Sequence, residues 1–262
     1  MNTSIPKIIH YCWLSGDAIP DKLQRCMDSW KKFLPDYEFI LWDLNRFDVT
    51  QSLWVQQAFE AKKYAFAADY IRLYAVYNYG GIYMDMDVEV IRNFDELLNA
   101  DYMLGMETKE GVEAGIFGAK AYNPYIKKCL EYYEGRTFIK KDGGYDIRPL
   151  PAIMFEILSS NYTLLMRKNI ELDFIPNAIS FFPPDYLTAK SYETGKVKVT
   201  ENTYTIHHFA GSWIPLIVKI GEGIYKLISK NQFLAWIYNN TYKRMKNVVL
   251  TYLEDNKKQG TC

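Results

Sequence analysis

The chain has 262 residues, and 31 Lys plus Arg balance 31 Asp plus Glu, so its formal net charge is zero. That balance argues against a general nucleic-acid-binding protein, because this class usually carries a basic excess. A hydrophobic share of 49% is enough for a sizeable core, and the length suits one large domain.

The first part of the chain alternates between strand and helix patterns. Residues 6–13 form an apolar, β-branched and aromatic run that is typical of a buried strand. Residues 20–33 carry apolar side chains at helical spacing, and residues 38–42 predict a second buried strand. Strand, helix and strand at this spacing indicate an α/β sheet with right-handed crossovers.

The middle of the chain continues this alternation. Residues 51–79 predict one or two helices that end at Gly80-Gly81, because glycine commonly follows the last turn of a helix. Residues 82–90 return to an extended pattern. Further along, the patterns predict strands at 102–106, 115–119, 170–175 and 196–209 and helices at 124–133 and 149–160.

From residue 215 the chain becomes helical and basic. We therefore predict one α/β domain over residues 1–213 and a helical C-terminal extension over residues 214–262. The extension combines Lys with Trp and Tyr, so peripheral contact with a membrane is one interpretation. A packing helix with a solvated basic face is the alternative.

The most informative stretch is Gly80 to Asp87, which reads GGIYMDMD. In an extended segment Asp85 and Asp87 point to the same face, and two carboxylates so close repel unless a cation lies between them. Mg²⁺ or Mn²⁺ commonly bridges carboxylates to substrate phosphates. Tyr83 lies on the same face and could reach a phosphate or ribose. Solvated acids and a core tyrosine are the alternatives.

Asp69 and Arg72 lie three residues apart and therefore share one face of the predicted helix. Their apolar flanks predict at least partial burial. A structural ion pair is one interpretation, because buried charges persist when they are paired. The functional interpretation is that the pair binds sugar hydroxyls, because a carboxylate accepts hydrogen bonds from hydroxyls and a guanidinium donates hydrogen bonds to them.

Two further features have the residue types of a ligand site. His207 and His208 end a predicted strand, and neutral imidazole is a common metal ligand. Neighbouring strand residues face opposite sides, so one of the two would point inward, and we favour His207. Trp13 ends the first strand, where ligands of open α/β sheets bind, and could stack on a nucleobase. A structural histidine and a core tryptophan are the alternatives.

Taken together, these residues resemble glycosyltransferase family 32, the group with the DXD sugar-binding region. The resemblance rests on residues 5–13, 67–72, 80–87 and 207–213. It implies a GT-A fold, which is α/β and Rossmann-like. It also implies a retaining transfer of a hexose from a nucleotide-diphosphate sugar to a glycan or lipid-linked acceptor, as in bacterial surface polysaccharide synthesis.

The resemblance also implies roles for individual residues. Asp87 would be the firmer ligand of Mn²⁺ or Mg²⁺, and Asp85 would touch metal or ribose. Asp69 and Arg72 would bind the donor sugar, His207 or His208 would reach the metal or the diphosphate, and Trp13 would stack on the base. Further contacts with the donor are implied for Tyr83, Gly80, Gly81, Ser212 and Trp213. Ala68 stands where relatives often carry Ser, and Glu107 and Glu113 are only weak candidates for the acceptor side.

Two other function classes remain open from the sequence. One is a non-catalytic protein that binds nucleotide sugars, and the other is a metal-dependent nucleotide phosphohydrolase. The four cysteines show no C-x-x-C spacing, which indicates free thiols in a reducing compartment. With no signal-peptide pattern at the N-terminus, we expect a cytoplasmic protein, with the inner face of a membrane as a peripheral location.

Overall fold

The computed structural model describes residues 4–167 and 176–211. Within them the helices are α1 (Asp21–Phe33), α2 (Leu53–Glu60), α3 (Tyr64–Tyr79), α4 (Pro124–Glu131), α5 (Leu150–Asn161) and α6 (Pro184–Leu187). The strands are β1 (Ile8–Cys12), β2 (Glu38–Trp42), β3 (Gly81–Met84), β4 (Val88–Val90), β5 (Tyr102–Met103), β6 (Met106–Thr108), β7 (Gly111–Val112), β8 (Ile116–Ala119), β9 (Thr163–Met166), β10 (Ala178–Phe181) and β11 (Thr205–His207). None of these helices is long and apolar enough to cross a membrane.

The central sheet has five strands in the order β2-β1-β3-β8-β5. The first three run parallel, whereas β8 is antiparallel to both β3 and β5. Parallel neighbours need crossover connections, and α1, α2 and α3 occupy those connections. The mixed sheet with its helices confirms the predicted α/β class.

The two faces of the sheet bury different side chains. Along β3, Ile82 and Met84 belong to one core cluster and Tyr83 belongs to the other, as the two-residue period of a strand requires. Trp30 of α1 packs in the first cluster, and its indole N–H donates to Val88 O at 2.7 Å. Ile71 of α3 packs in the second cluster, so each face has its own helix.

Strand pairing also brings distant segments to the end of β3. Because β1 and β3 are parallel, with Ile9 opposite Ile82, their carboxyl ends lie at the same edge of the sheet. A separate two-stranded ladder pairs β11 with β4, and His207 lies opposite Val88. This pairing carries His207 to the segment that contains Asp87.

Several predicted element bounds need correction. The extended run over 82–90 is broken at residues 85–87, where Val88 N–H donates to Asp85 O in a turn. The strand predicted over 196–209 is reduced to β11, because Thr203 N–H donates to Thr200 O and closes another turn. The strand predicted over 170–175 and the extension over 214–262 lie outside the described residues, so the boundary at 213 stays a prediction.

The glycine pair ends α3, as expected, and packs closely against neighbouring segments. Gly81 adopts φ +98°, and a Cβ there would lie 2.7 Å from Ile8 O. A Cβ at Gly80 would lie 2.8 Å from Ala121 N and 3.1 Å from Pro6. Both positions therefore need glycine because backbone packs against backbone. The donor contacts that the resemblance implies for Gly80 and Gly81 stay a prediction.

Candidate metal and sugar site

Arg72 lies at the centre of the charged cluster beneath the end of β3. Its Nη2 lies 3.3 Å from Asp69 Oδ1 and 3.2 Å from Asp85 Oδ1. Its Nη1 donates to Ala114 O at 2.8 Å, and the guanidinium lies 4.6 Å from the centre of the Tyr83 ring. The side chain is only 8% exposed, so this cation is held by two carboxylates, a carbonyl and an aromatic face.

Sequence spacing explains how this cluster forms. Asp69 and Arg72 are one turn apart on α3, with Ala67 and Ala68 as small buried neighbours. Asp85 follows β3, and Tyr83, two residues earlier, donates its hydroxyl to Asp85 Oδ1 at 2.7 Å. The pair on the helix is therefore an ion pair, as one interpretation expected, and it also fixes a carboxylate of the D-x-D segment.

A possible set of metal ligands lies next to this cluster. One ligand atom each from Asp85, Asp87 and His207 can be chosen so that all three lie within 4.8 Å of one another. His207 Nε2 is 3.5 Å from Asp87 Oδ1. Carboxylate oxygens with one imidazole nitrogen form a donor set that suits Mn²⁺, and the oxygens also suit Mg²⁺. The residues present therefore fit a divalent cation.

Asp87 is fixed by the chain that follows β11. Ala210 N–H donates to Asp87 Oδ2 at 2.6 Å, and His208 N–H donates to Asp87 O at 3.0 Å. Burial opposes ionisation of this carboxyl group, but the charge of His207 and the hydrogen bonds from the His207 ring and Ala210 N–H lower its pKa to about 2. Asp87 is therefore ionised over the whole physiological range.

The neighbouring acids have the opposite shift. Burial raises the pKa of Asp69 to about 7 against the opposing effect of Arg72. Burial also raises the pKa of Asp85, again against Arg72. Burial lowers the pKa of His207, but Glu113 and Asp87 outweigh it and hold that pKa well above its ordinary value. The charges of the acids and of His207 therefore depend on their charged neighbours as well as on burial.

The structure separates the two adjacent histidines. His207 faces the acids, whereas His208 Nε2 lies 2.8 Å from Glu89 Oε2 and is absent from the candidate ligand set of the described residues. The suggestion that His208 could be a metal ligand is therefore corrected. Adjacent strand residues face opposite sides, so one of the two was expected to point inward, and it is His207, the residue favoured from the sequence.

The remaining predicted residues are less informative. Trp13 is half-buried directly after β1, and its indole N–H donates to Asp17 O at 2.8 Å. Ser212 and Trp213 lie outside the described residues. Glu107 on β6 is half-buried, and burial together with the Glu113 charge raises its pKa to about 7. Neither Trp13 nor Glu107 belongs to the candidate ligand set of the described residues.

Glu113 and Gly115 contact His207, a role that was not predicted for either residue from the sequence. Glu113 contacts His207, with Glu113 Oε1 3.0 Å from His207 Nδ1, and its weak candidacy for the acceptor side stays a prediction. Gly115 lies against the same ring, where any Cβ would collide with His207 Cε1. The available signal was a single acid in the apolar run from Gly111 to Ala119, which indicates a buried carboxylate with partners.

Comparison with known proteins finds a match for the part of the chain that contains Asp69, Arg72, Asp85 and Asp87. Residues 20–104 match the model of the glycosyltransferase sugar-binding region containing the DXD motif. The chain is 31% identical over 133 residues to inositol phosphoceramide mannosyltransferase 3 of Schizosaccharomyces pombe, which covers 49% of this chain and 37% of that protein. It is 33% identical over 146 residues to a mannosyl phosphorylinositol ceramide synthase of Saccharomyces cerevisiae, with 52% and 37% covered. The chain thus spans under two fifths of these relatives.

A more distant relative matches over a longer stretch. An uncharacterised glycosyltransferase of Acanthamoeba polyphaga mimivirus is 23% identical over 248 residues, or 89% of this chain and 91% of that protein. Among solved structures, the PaToxG glycosyltransferase is 20% identical with a TM-score of 0.45, covering 60% of this chain and 69% of that one. The sequence matches confirm the resemblance to the DXD glycosyltransferases.

Proposed function

Because residues 20–104 carry the glycosyltransferase sugar-binding region containing the DXD motif, we propose that this protein is a metal-dependent glycosyltransferase. It transfers a hexose from a nucleotide-diphosphate sugar to an acceptor hydroxyl. One observation carries this proposal. The ligand set of Asp85, Asp87 and His207 adjoins the Asp69–Arg72 pair through the contact of Arg72 with Asp85, so the candidate cation site lies beside the proposed sugar-binding pair.

The residues divide the work by their chemistry. Asp85, Asp87 and His207 would hold Mn²⁺ or Mg²⁺, which when bound neutralises charge on a departing diphosphate. Asp69 would bind the donor sugar, because its second carboxylate oxygen can accept a hydrogen bond from a hydroxyl while Arg72 holds the first. Arg72 keeps both acids oriented. Trp13, at the end of β1, lies where a base would stack.

We propose that the transfer proceeds with retention at the anomeric carbon, as the resemblance implies. The bond from the anomeric carbon to the diphosphate oxygen breaks, and the acceptor oxygen forms the new bond on the same face. The acceptor proton passes to the departing phosphate oxygen. This route needs no carboxylate nucleophile, and Asp69 and Asp85 are already engaged with Arg72.

The relatives narrow the proposed substrates. Two yeast relatives are named as transferring or adding mannose to inositol phosphoceramide, which favours a mannosyl donor and a lipid acceptor for this chain. A glycan acceptor in bacterial surface polysaccharide synthesis remains the alternative that the family resemblance implies. Both options use the same residues for the nucleotide-sugar donor. They differ in the acceptor and in the arrangement of hydroxyl groups on the transferred sugar.

A thermal-unfolding panel of nucleotide sugars, with and without Mn²⁺, tests the proposed donor. We expect one sugar nucleotide to raise the melting temperature only when Mn²⁺ is present. A ligand at ~100 times its Kd stabilises the folded state by about 2.7 kcal/mol, which is a readily measured shift. GDP-mannose is the first candidate, and UDP-hexoses and the free nucleoside diphosphates are the comparisons.

Product release from the same set of nucleotides, measured beside the unfolding panel, separates the other function classes. A nucleotide-sugar binder without catalysis would show the shift but would release no nucleoside diphosphate with any acceptor. A phosphohydrolase would release inorganic phosphate equally well from nucleotides that carry no sugar. No stabilisation by any sugar nucleotide in the presence of Mn²⁺ would contradict the proposal.

A further inference from the structure

Glu113 is a charged residue in the core whose place the proposed reaction does not explain by itself. Its side chain is fully buried, and among the described residues no Lys or Arg forms an ion pair with it. Thr188 Oγ1 donates to Glu113 Oε2 at 2.7 Å, and Gly115 N–H donates to Glu113 Oε1 at 2.7 Å. Burying a carboxylate is costly, so these donors compensate for lost water.

The third partner of Glu113 is the histidine of the ligand set. His207 Nδ1 lies 3.0 Å from Glu113 Oε1, while Nε2 of the same ring lies 3.5 Å from Asp87 Oδ1. When Nδ1–H donates to the carboxylate, the neutral ring carries its lone pair on Nε2. That lone pair then faces the side where Asp85 and Asp87 lie.

We propose that Glu113 is a positioning residue that fixes the ring and the tautomer of His207, and thereby sets the metal affinity of the site before the nucleotide sugar arrives. The inference rests on the proposed function, since the metal belongs to it. A carboxylate behind a ligating histidine generally raises metal affinity, and its loss typically costs about 10–100-fold. Gly115 supports the arrangement, because a Cβ there would lie 2.8 Å from His207 Nδ1.

The chain supplies a matched control one residue away. His208 Nε2 lies 2.8 Å from Glu89 Oε2, so a second pair of histidine and glutamate has the same kind of contact. That pair is partly exposed, with side-chain exposures of 37% and 40%, and neither residue belongs to the candidate ligand set of the described residues. Glu89→Gln therefore removes the same charge and the same contact without touching His207.

Titration of the full-length, metal-free protein with Mn²⁺ in the absence of nucleotide tests the inference, with free Mn²⁺ followed by electron paramagnetic resonance. We expect Glu113→Gln to raise the Kd for Mn²⁺ by about 10–100-fold. Glu89→Gln should leave the Kd unchanged. Thr188→Val, which removes one donor to Glu113, should raise the Kd by a smaller factor. Thermal unfolding without metal shows whether each variant is folded.

The outcomes separate this inference from the proposed function. If the wild type binds Mn²⁺ and Glu113→Gln binds it equally well, the positioning role is wrong and the glycosyltransferase proposal stands. Equal losses in Glu113→Gln and Glu89→Gln would also overturn the role, because they would reflect net charge. If Glu113→Gln does not fold, an unchanged Kd in Thr188→Val overturns it and a raised Kd supports it. Absence of Mn²⁺ binding by the wild type without nucleotide would overturn the positioning role, whereas the glycosyltransferase proposal is tested separately by stabilisation with a sugar nucleotide and Mn²⁺.

Discussion

Asp87→Asn is expected to reduce the metal-dependent release of nucleoside diphosphate from a nucleotide sugar by at least about 10²-fold. Removal of a single electrostatic contact to developing charge typically costs roughly 10²–10³ in rate. Asp87 is the acid best suited to a cation, because its pKa is held at about 2 and Ala210 N–H orients its second oxygen. The rate is measured at saturating Mn²⁺ and donor.

The control for Asp87→Asn is Asp28→Asn, which removes one carboxylate from an exposed position of α1. The control variant should keep the wild-type rate. The thermal unfolding of Asp87→Asn should remain cooperative, because the amide can still accept the hydrogen bond from Ala210 N–H. A rate within threefold of the wild type, about 0.7 kcal/mol in barrier, would show that Asp87 does not hold the cation.

Arg72→Gln is expected to lower the free energy of unfolding by about 3–5 kcal/mol, because removal of one partner leaves buried charge without compensation. Asp69 and Asp85 both depend on this guanidinium, with side-chain exposures of only 12% and 27%. Urea unfolding measures the change, with the slope of the transition as a check for two-state behaviour. Transfer activity should be lost in the same variant.

The double variant Asp69→Asn/Arg72→Gln separates charge from packing. When one of the two acids is also neutralised, part of the lost unfolding free energy should return, because the buried uncompensated charge is smaller. Arg72→Lys keeps the charge but loses the planar fork that reaches both acids, so it should give an intermediate loss. A free energy of unfolding within about 1 kcal/mol of the wild type in Arg72→Gln would contradict the central role of this cation.

Local sequence patterns predicted the elements that form within short stretches. The strand expected over 38–42 is β2 with the same bounds, and the helix expected over 20–33 begins at Asp21. The pairing of Asp69 with Arg72 was also predictable, because helical spacing places residues three apart on one face. These features depend on periodicity, which a single sequence displays directly.

Contacts between distant segments were not predictable in the same way. Glu113 and His207 are 94 residues apart and meet only because β11 pairs with β4 and Glu113 N–H donates to Gly105 O. A single sequence carries no direct record of which short strands pair. The same reason explains Gly80 and Gly81, whose need for glycine comes from Ile8, Pro6 and Ala121.

The roles of Asp85 and Asp87 were predictable only in part. Their alternating pattern predicted a shared face, and both contribute to the candidate ligand set. The turn at residues 85–87 then gives them different surroundings, because Asp85 turns toward Arg72 and Tyr83 while Asp87 meets the chain after β11. Burial raises the pKa of Asp85 although Arg72 and Tyr83 lower it, whereas His207 and the hydrogen bond from Ala210 N–H outweigh burial at Asp87 and lower its pKa.

The central claim is that this site transfers a sugar from a nucleotide-diphosphate donor with the help of a divalent cation. The most direct test follows nucleoside-diphosphate release and sugar transfer together, with purified wild-type protein, as Mn²⁺ is added and then removed with excess chelator. We expect both products to rise together with Mn²⁺ and to stop when the chelator is in excess. Undiminished release and transfer in excess chelator would contradict the claim.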